Sequence, residues 1–325
     1  MQAIALREFG GPEVLRVVEC PDPRPAADEV LVELKAAALN RRDRLVRSGF
    51  YPFALPLVPG SDGAGIRRDT GEEVVILPSL WWGDSEVAPA TGFEILGGPT
   101  DGTYAELVKV PEENLYPKPS RLSWHEAAAL PLAGLTAFRA LFTRAQLRSG
   151  EWVLVLGAGS GVSTFAVSLA CQAGARVLVT SSSREKIERT KALGAREGVD
   201  YTSGDWPAQV RELTGGVGVD VVVDSVGTTW PDSMRCLRPG GRLVAFGATG
   251  GEQVELGPRA LYGSQLSLLG TTMGSPREFA ALLDIVDRGA WIPVIDSVRP
   301  LAEAPAAHER LEASAHFGKL VLSVS

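Results

Sequence analysis

Cysteine and histidine are scarce in this sequence, which contains three of each in 325 residues. Cys20, Cys171 and Cys236 lie far apart, so neither CxxC-type metal spacing nor a disulfide framework is expected. We interpret the three cysteines as buried or partly buried free thiols.

Apolar segments long enough to cross a membrane are also missing. The stretch from Val162 to Ala173 is interrupted by Ser and Gln, and it falls short of the roughly 18 apolar residues of a membrane span. The first residues lack the basic region, apolar core and cleavage site of a secretory signal. Acidic residues outnumber basic ones, 39 to 32, so neither nucleic acid nor an anionic membrane is an expected partner. We therefore expect a cytoplasmic protein.

The remaining composition is that of a globular protein, with 45% hydrophobic and 22% charged residues. The length predicts about two domains. Up to about residue 120, short apolar runs alternate with Gly, Pro and Asp, as in Pro21–Pro25, and predict a mostly β domain. Ser123 and Glu126 form a predicted capping box before the helical stretch Ala127–Phe142, which opens the second domain.

The second half of the chain alternates between strand and helix patterns, which predicts a parallel, doubly wound sheet. Its predicted strands are Trp152–Leu156, Arg176–Thr180, Val219–Asp224, Arg242–Phe246 and Leu266–Gly270, and its helices include Val162–Ala173 and Arg184–Leu193. Near the C-terminus come extended Ile292–Val298, helical Pro305–Ala313 and a last apolar strand, Lys319–Val324. This last strand has no place in the parallel sheet, and we expect it to return to the first domain.

A glycine-rich loop, Gly157 to Gly161, follows the first strand of this sheet. Glycines there let a diphosphate approach bare backbone amides at the positive end of the next helix. The glycine pattern alone is weak, but a strand precedes it, a helix follows it, and a second strand ends about 20 residues on. We predict a dinucleotide site; the alternative is a structural turn.

The tip of the second strand carries serines where an enzyme that uses NAD places an Asp or Glu. Ser181, Ser182, Arg184 and Lys186 could surround a 2′-phosphate with hydroxyl groups and positive charge. The expected cofactor is therefore NADP(H). Alternatively, Arg184 and Lys186 are only the solvated first turn of a helix.

Taken together, these motifs resemble the medium-chain dehydrogenase/reductase superfamily, most closely its zinc-free quinone oxidoreductase branch. The resemblance covers nearly the whole chain and implies an α/β protein, a Rossmann doubly wound sheet plus a GroES-like, mostly-β domain, with the active site in the cleft. The implied domains are 1–120 with 290–325, GroES-like, and 121–289, Rossmann. Besides the glycine loop, the matching stretches are Asn40–Pro52, Pro59–Gly65, Asp101–Glu106, Leu130–Ala137, Asp224–Gly227 and His316–Leu322.

The sequence departs from the zinc-dependent relatives at the metal positions. Those relatives have Cys in place of Asn40, Gly-His-Glu in place of Gly60–Asp62, and commonly a four-cysteine lobe in the region of Trp81 to Thr100. Asn and Ser are poor zinc ligands, so we expect no zinc. A smaller departure is Ser163, where the family usually has a third glycine.

Without a metal, the expected acceptor is a quinone or an activated alkene. Hydride reduction of a simple ketone leaves a localised alkoxide, which a Lewis acid normally stabilises. A quinone or enone instead yields a delocalised phenolate or enolate, for which hydrogen-bond donors and a proton source can suffice. We predict an NADPH-dependent reductase of quinones or α,β-unsaturated carbonyl compounds. The alternatives are a 2-enoyl thioester reductase and an NADPH-binding protein with little turnover.

The resemblance also implies individual site residues and a homodimer, the latter through edge pairing near Gln265–Thr271. Simpler roles stay open: Asn40 as a helix cap, Tyr51 as a packed aromatic, and Asp43 with Arg47 as a helix-stabilising pair. Trp81 and Trp82 either wall the cleft or pack in a loop. The implied catalytic residues are Asn40 and Tyr51, and the expected cofactor-binding residues are Thr136, Gly157, Gly159, Ser160, Gly161, Val162, Ser181, Ser182, Arg184, Lys186, Tyr201, Phe246 and Gly247.

Overall fold

A computed structural model describes residues 1–289 and 291–324 of the chain. The chain divides into two compact units. The first comprises Met1–Leu135 with the described part of Gly274–Ser325, and the second comprises Thr136–Met273. The domain bounds proposed from the sequence, 1–120 with 290–325 and 121–289, remain a prediction.

Both units combine strands and helices. The strands are β1 (Gln2–Ala5), β2 (Arg16–Glu19), β3 (Glu29–Ala38), β4 (Asp62–Arg67), β5 (Glu73–Ile76), β6 (Ser79–Leu80), β7 (Glu94–Ile95), β8 (Leu107–Pro111), β9 (Leu115–Pro117), β10 (Trp152–Val155), β11 (Arg176–Ser181), β12 (Glu197–Asp200), β13 (Val219–Asp224), β14 (Leu237–Ala245), β15 (Ser267–Gly270), β16 (Ile295–Pro300) and β17 (Lys319–Ser323). The α-helices are α1 (Arg41–Arg47), α2 (Trp124–Ala129), α3 (Pro131–Phe138), α4 (Gly161–Gln172), α5 (Arg184–Ala192), α6 (Trp206–Leu213), α7 (Trp230–Cys236), α8 (Pro258–Gly263), α9 (Pro276–Arg288) and α10 (Ala304–Glu312).

The first unit is built around β3. The main sheet runs in the order β16-β17-β3-β4-β5-β9, and β8 also pairs with β3. Alternate residues of β3, Val30, Val32 and Leu34, are buried, as expected of a strand with one face on the core. Where β4 crosses β3, a side chain at Gly65 would collide with the Glu33 carbonyl, so only glycine fits there.

The last strand of the chain belongs to this first sheet, as predicted. β17 pairs antiparallel with β3, with Val321 opposite Ala38, and parallel with β16. This pairing brings residues near the end of the sequence beside the start of α1.

The second unit contains a six-stranded parallel sheet in the order β12-β11-β10-β13-β14-β15. This is the doubly wound order in which the chain direction across the sheet reverses between β10 and β13. Every residue of β13 is buried, as expected of a central strand covered on both faces. The predicted Rossmann topology is therefore confirmed.

Two local features differ from the sequence-based expectations. Strand β12 was not predicted, because the segment Glu197–Asp200 contains a single apolar residue, Val199, and forms a sheet edge. The capping box of Ser123 and Glu126 is present. However, the helical stretch after it is divided between α2 and α3, because Pro131 has no N–H to continue the first helix. Among the described residues, no helix is long and apolar enough to cross a membrane.

Candidate active site

The glycine loop connects β10 to α4 at the point where the strand order reverses. Gly157 and Gly159 have φ of +71° and +94°, a backbone conformation that residues with a side chain rarely adopt. Ser160 caps α4 through its hydroxyl, which accepts from the Ser163 N–H at 3.2 Å. The first amides of α4 thus follow directly on the loop, as a diphosphate site requires.

Ser163, which departs from the family pattern, stabilises the glycine loop through its hydroxyl. Its side chain is buried, and its hydroxyl donates to the Gly157 carbonyl at 2.8 Å. Ser160 Oγ in turn lies 2.9 Å from Ser163 Oγ. A hydroxyl therefore ties the two ends of the loop together where a glycine would only allow close packing.

The residues predicted to hold the 2′-phosphate lie around the tip of β11. Ser181 Oγ accepts from the Ser183 N–H at 3.1 Å, and Ser182 and Arg184 are exposed. The Tyr201 N–H bonds to the Ser181 carbonyl at 3.3 Å, so Tyr201, 47% exposed, stands beside the same tip. The structure therefore brings these predicted residues together at one edge of the sheet. Lys186 lies in the first turn of α5, which Ser183 caps.

Asp224, at the end of β13, organises the neighbouring loop. Its buried carboxylate accepts from the Val226 N–H at 2.6 Å, the Gly227 N–H at 3.1 Å and the Thr229 hydroxyl at 2.7 Å. Its carbonyl accepts from the Phe246 N–H at 3.1 Å. Phe246 and Gly247 thus follow β14 next to this loop. Thr136 lies in α3 and is buried.

In the first unit, Asn40 occupies the N-cap position of α1 and forms a capping box with Asp43. Its Nδ2 donates to Asp62 Oδ2 at 2.9 Å, and its Oδ1 accepts from Lys319 Nζ at 2.6 Å. In the capping box, the Asp43 carboxylate accepts from the Asn40 backbone N–H at 2.7 Å. Asn40 is therefore at the helix cap, as the alternative has it, and its side chain also bonds to Asp62 and Lys319.

Lys319 and Asp62 form a buried ion pair beside Asn40. Their side chains are 2% and 0% exposed, and Nζ lies 2.9 Å from Asp62 Oδ2. Asp62 Oδ1 accepts from the Leu132 N–H at 2.8 Å. Neither residue is among the site residues predicted from the sequence, although a lysine that opens an otherwise apolar strand is a signal for Lys319.

A second buried polar cluster connects α1 with Tyr104 and with His308 of α10. The Tyr104 hydroxyl donates to Asp43 Oδ2 at 3.1 Å, and the Tyr104 oxygen lies 3.4 Å from His308 Nε2. Arg47 Nη1 lies 3.2 Å from His308 Nδ1. Because a guanidinium only donates, Nδ1 accepts and the proton of the neutral ring resides on Nε2.

Burial shifts the pKa values of two groups in this cluster, Asp43 and His308. Burial raises the pKa of Asp43 to about 6, and its Oδ1 has no hydrogen-bond partner among the described residues. Burial, assisted by Arg47, lowers the pKa of His308 to about 3. The helix pair expected between Asp43 and Arg47 is wrong, because Arg47 forms its ion pair with Glu312 of α10.

Tyr51 follows α1 on an exposed aromatic surface. Its ring stacks on Phe53 at 6.0 Å between centroids, and the Arg42 guanidinium lies 5.8 Å from the ring centre. Within the described chain, its hydroxyl makes no hydrogen bond, and the residue is 37% exposed. Tyr51 therefore packs through its ring and keeps its hydroxyl open to a ligand.

The two tryptophans of the next loop differ. Trp82 is buried and donates its indole N–H to the Ser85 carbonyl at 2.8 Å, whereas Trp81 is 41% exposed with φ of +51°.

These residues do not fit the zinc ion that related enzymes bind. The two ligand positions hold Asn40 and Ser61, and the Lys319 ammonium occupies the oxygens of Asn40 and Asp62 that face this site. A fixed positive charge at this place repels a divalent cation. Within residues 1–289 and 291–324, no three His, Cys, Asp or Glu side chains lie together in a way that could hold a metal ion.

Two models of known protein families match the chain. A family model described as Alcohol dehydrogenase GroES-like domain matches residues 26–120, and one described as Zinc-binding dehydrogenase matches residues 161–288. A quinone oxidoreductase of Pseudomonas aeruginosa is 38% identical over 98% of both chains. The chain belongs to the medium-chain dehydrogenase/reductase superfamily, in its quinone oxidoreductase-like branch.

The names of further similar proteins mention different cofactors and metals. A zinc-type alcohol dehydrogenase-like protein of Schizosaccharomyces pombe is 38% identical over 91% of both chains. The crystal structure of an NAD-dependent alcohol dehydrogenase is 43% identical with a TM-score of 0.95 over 100% of both chains. A mycobacterial protein in complex with NADPH is 33% identical with a TM-score of 0.86 over 100% of both chains. Membership in this superfamily makes the protein an oxidoreductase.

The raised pKa of Asp43 predicts a pH-dependent stability. The pKa is 3.8 in an unfolded chain and about 6 here, so the folded protein retains a proton that the unfolded chain loses as the pH rises from about 4 to 6. The contribution is therefore complete below about pH 4 and is lost by pH 7, a change of up to about 3 kcal/mol. Asp43→Asn should lack this loss, so its stability relative to wild type should improve over that range in urea denaturation.

Asp69→Asn is the control for this measurement, because Arg67 lowers the pKa of the exposed Asp69 to about 2. It should leave the slope between pH 4 and 7 unchanged. Parallel stability profiles for wild type and Asp43→Asn would show that Asp43 does not titrate in this window.

Proposed function

We propose that this protein transfers hydride from NADPH to quinones or α,β-unsaturated carbonyl compounds without zinc. The observation that carries the proposal is the ammonium of Lys319 bonded to Asn40 and Asp62 at the place where related enzymes bind the metal. No Lewis acid is then available to a localised alkoxide, and the acceptor must delocalise the charge it gains.

Two side chains of the first unit supply donors for that charge. Asn40 Nδ2 makes one hydrogen bond, to Asp62, and has a second N–H without a partner in the described chain. The Tyr51 hydroxyl is equally open. Bound NADPH would supply hydride to a ring carbon of the quinone or to the β-carbon of the enone, and the carbonyl oxygen would take up the negative charge. Asn40 and Tyr51 donate to this oxygen, and a proton from water then completes the reduction.

The choice of NADPH rests on the tip of β11. Ser181 and Ser182 stand where a carboxylate would bind the ribose hydroxyls and repel a phosphate. Arg184, exposed at the start of α5, supplies positive charge. The mycobacterial neighbour in complex with NADPH supports this choice, and the NAD-dependent neighbour is evidence for the other cofactor.

A homodimer is part of the proposal. Strand β15 is the edge of the six-stranded sheet; its backbone groups on the open side are available to a second copy, and an unpaired edge favours association. Beside it, Tyr262 is 64% exposed. The proposed contact surface is Gln265–Thr271 on each copy, in the cytoplasm.

The acceptor class is tested by NADPH oxidation with 1,4-benzoquinone, 9,10-phenanthrenequinone and crotonyl-CoA. We expect turnover with a quinone, unchanged by a chelator, because no step uses a metal. Turnover with crotonyl-CoA alone would identify a thioester reductase, and tight NADPH binding without turnover would identify a binding protein. Loss of activity on removing about one zinc per chain would overturn the proposal.

Replacing Arg184 tests the cofactor. A hydrogen bond to a charged group contributes about 1.5 to 3 kcal/mol, so Arg184→Ala should weaken NADPH binding roughly 10-fold to 100-fold and leave NADH nearly unchanged. Fluorescence titration with both cofactors measures this. Arg189→Ala, further along α5, is the matched control. Equal losses for NADPH and NADH would assign Arg184 a structural role.

Replacing Tyr51 tests the donor to the acceptor. Loss of one such donor costs about 100-fold to 1000-fold in turnover when it acts mainly in the transition state. Tyr51→Phe should slow enone reduction more than quinone reduction, since a quinone is more easily reduced, and leave NADPH affinity unchanged. Tyr262→Phe, on the exposed α8, controls for loss of a surface hydroxyl. Wild-type rates with both acceptors would make Tyr51 a packing residue.

A further inference from the structure

All three N–H groups of the Lys319 ammonium donate to oxygen atoms of the protein. The ammonium donates to the Leu39 carbonyl at 2.7 Å, to Asn40 Oδ1 at 2.6 Å and to Asp62 Oδ2 at 2.9 Å. An ammonium has three N–H donors, so none is left for a substrate. Lys319 cannot therefore contact the acceptor without breaking one of these bonds, and its action must pass through a neighbour.

The neighbour that the ammonium orients is the Asn40 amide. If the amide were flipped, its NH2 group would face an ammonium, which has no lone pair, and its oxygen would face the Asp62 carboxylate. Lys319 and Asp62 therefore allow one orientation, with Oδ1 on the lysine and Nδ2 on the aspartate. This orientation leaves the second N–H of Nδ2 in a fixed direction.

The ammonium also makes that N–H a stronger donor than it would be without the lysine, although the Asp62 carboxylate on the same nitrogen acts in the opposite direction. A cation bonded to an amide oxygen draws electron density away from its nitrogen, and hydrogen bonds in such a chain reinforce one another in a low-dielectric site. Lys319 and Asp62 are almost completely buried. The polarisation is therefore not screened by water.

Stability alone does not explain a lysine here. Burying two charges costs several kcal/mol, and replacing a buried ion pair by apolar side chains is often neutral or stabilising. The segment that follows, Leu320, Val321 and Leu322, is apolar and buried, so an apolar residue would suit the strand. Packing of this strand alone therefore does not require the charge at position 319, which also contacts the Asn40 amide.

We propose that Lys319 is a positioning residue for hydride transfer: its ammonium holds and polarises the Asn40 amide, whose free N–H then donates to the carbonyl oxygen of the acceptor. The proposal rests on the proposed function for the identity of the acceptor. No covalent bond to Lys319 forms or breaks during the reaction. Through Asn40, the ammonium thus helps to stabilise the negative charge on the acceptor oxygen, which the metal does directly in related enzymes.

The orientation of the amide can be tested without any substrate. The sequence contains two asparagines, Asn40 and Asn114. Protein labelled with ¹⁵N-asparagine should therefore show two side-chain NH2 pairs. Asn114 is buried elsewhere and donates to the Leu77 and Ser79 carbonyls, at 2.9 Å each, so it serves as an internal reference. Lys319→Met should shift or broaden the Asn40 pair and leave the Asn114 pair unchanged.

The kinetic test is a double-mutant cycle. Lys319→Met should lower kcat for an enone about 10-fold or more, less than the roughly 100-fold loss expected on removing a donor itself by Asn40→Ala. The KM for NADPH should stay unchanged. In the Asn40→Ala background, Lys319→Met should slow the reaction no further, because the lysine acts through the asparagine. Lys109→Met, in the partly buried pair with Glu29, is the matched control.

A neutral variant separates positioning from folding. Lys319→Met leaves Asp62 buried and unpaired, which is destabilising, whereas Lys319→Met with Asp62→Asn buries no charge. We expect this double variant to recover thermal stability and to stay slow with the enone. Recovery of wild-type turnover would make Lys319 a mere counterion and overturn the proposal.

Two further outcomes would overturn it: an unmoved Asn40 signal in Lys319→Met, and additive losses in the cycle. Failure of the proposed function would look different. The wild-type protein would then reduce neither quinones nor enones, while the shift of the Asn40 pair would still be observed.

Discussion

The geometry of the first unit depends on a buried ion pair, Lys319 with Asp62. The two residues come from the end and the first quarter of the chain, and β3 lies between their strands in the sheet. An unpaired charge at either position would cost several kcal/mol, so folding must bring β17 and β4 to β3 in one register. The pair thus fixes both the return of the last strand and the orientation of Asn40.

A polar core of this kind constrains the surrounding residues. Asp43 of α1, Tyr104 and His308 form a buried hydrogen-bonded series, and the solvent that would satisfy them is excluded. Burial therefore favours the neutral forms and moves the pKa values of Asp43 and His308 in opposite directions. One consequence is that α1 begins with a rigid turn, because its N-cap amide bonds to Asp43.

The second unit achieves its precision with backbone groups. Glycines with positive φ open the loop after β10, while Ser163 and the carboxylate of Asp224 close the hydrogen bonds on either side. Such a loop offers amides to a dinucleotide without using a charged side chain for the diphosphate. Preference between the two dinucleotides is left to the side chains at the tip of β11.

The sequence alone determined the family, the doubly wound order and the glycine loop, because these depend on local periodicity and on residues close together in the chain. It also placed Asn40 at the start of a helix. It could not reveal what the Asn40 side chain contacts, since Lys319 is 279 residues away. A separation of 265 residues likewise explains the wrong pairing of Arg47, which meets Glu312 only through the fold. Tertiary structure decided these contacts, because a buried charge takes the partner that packing brings to it.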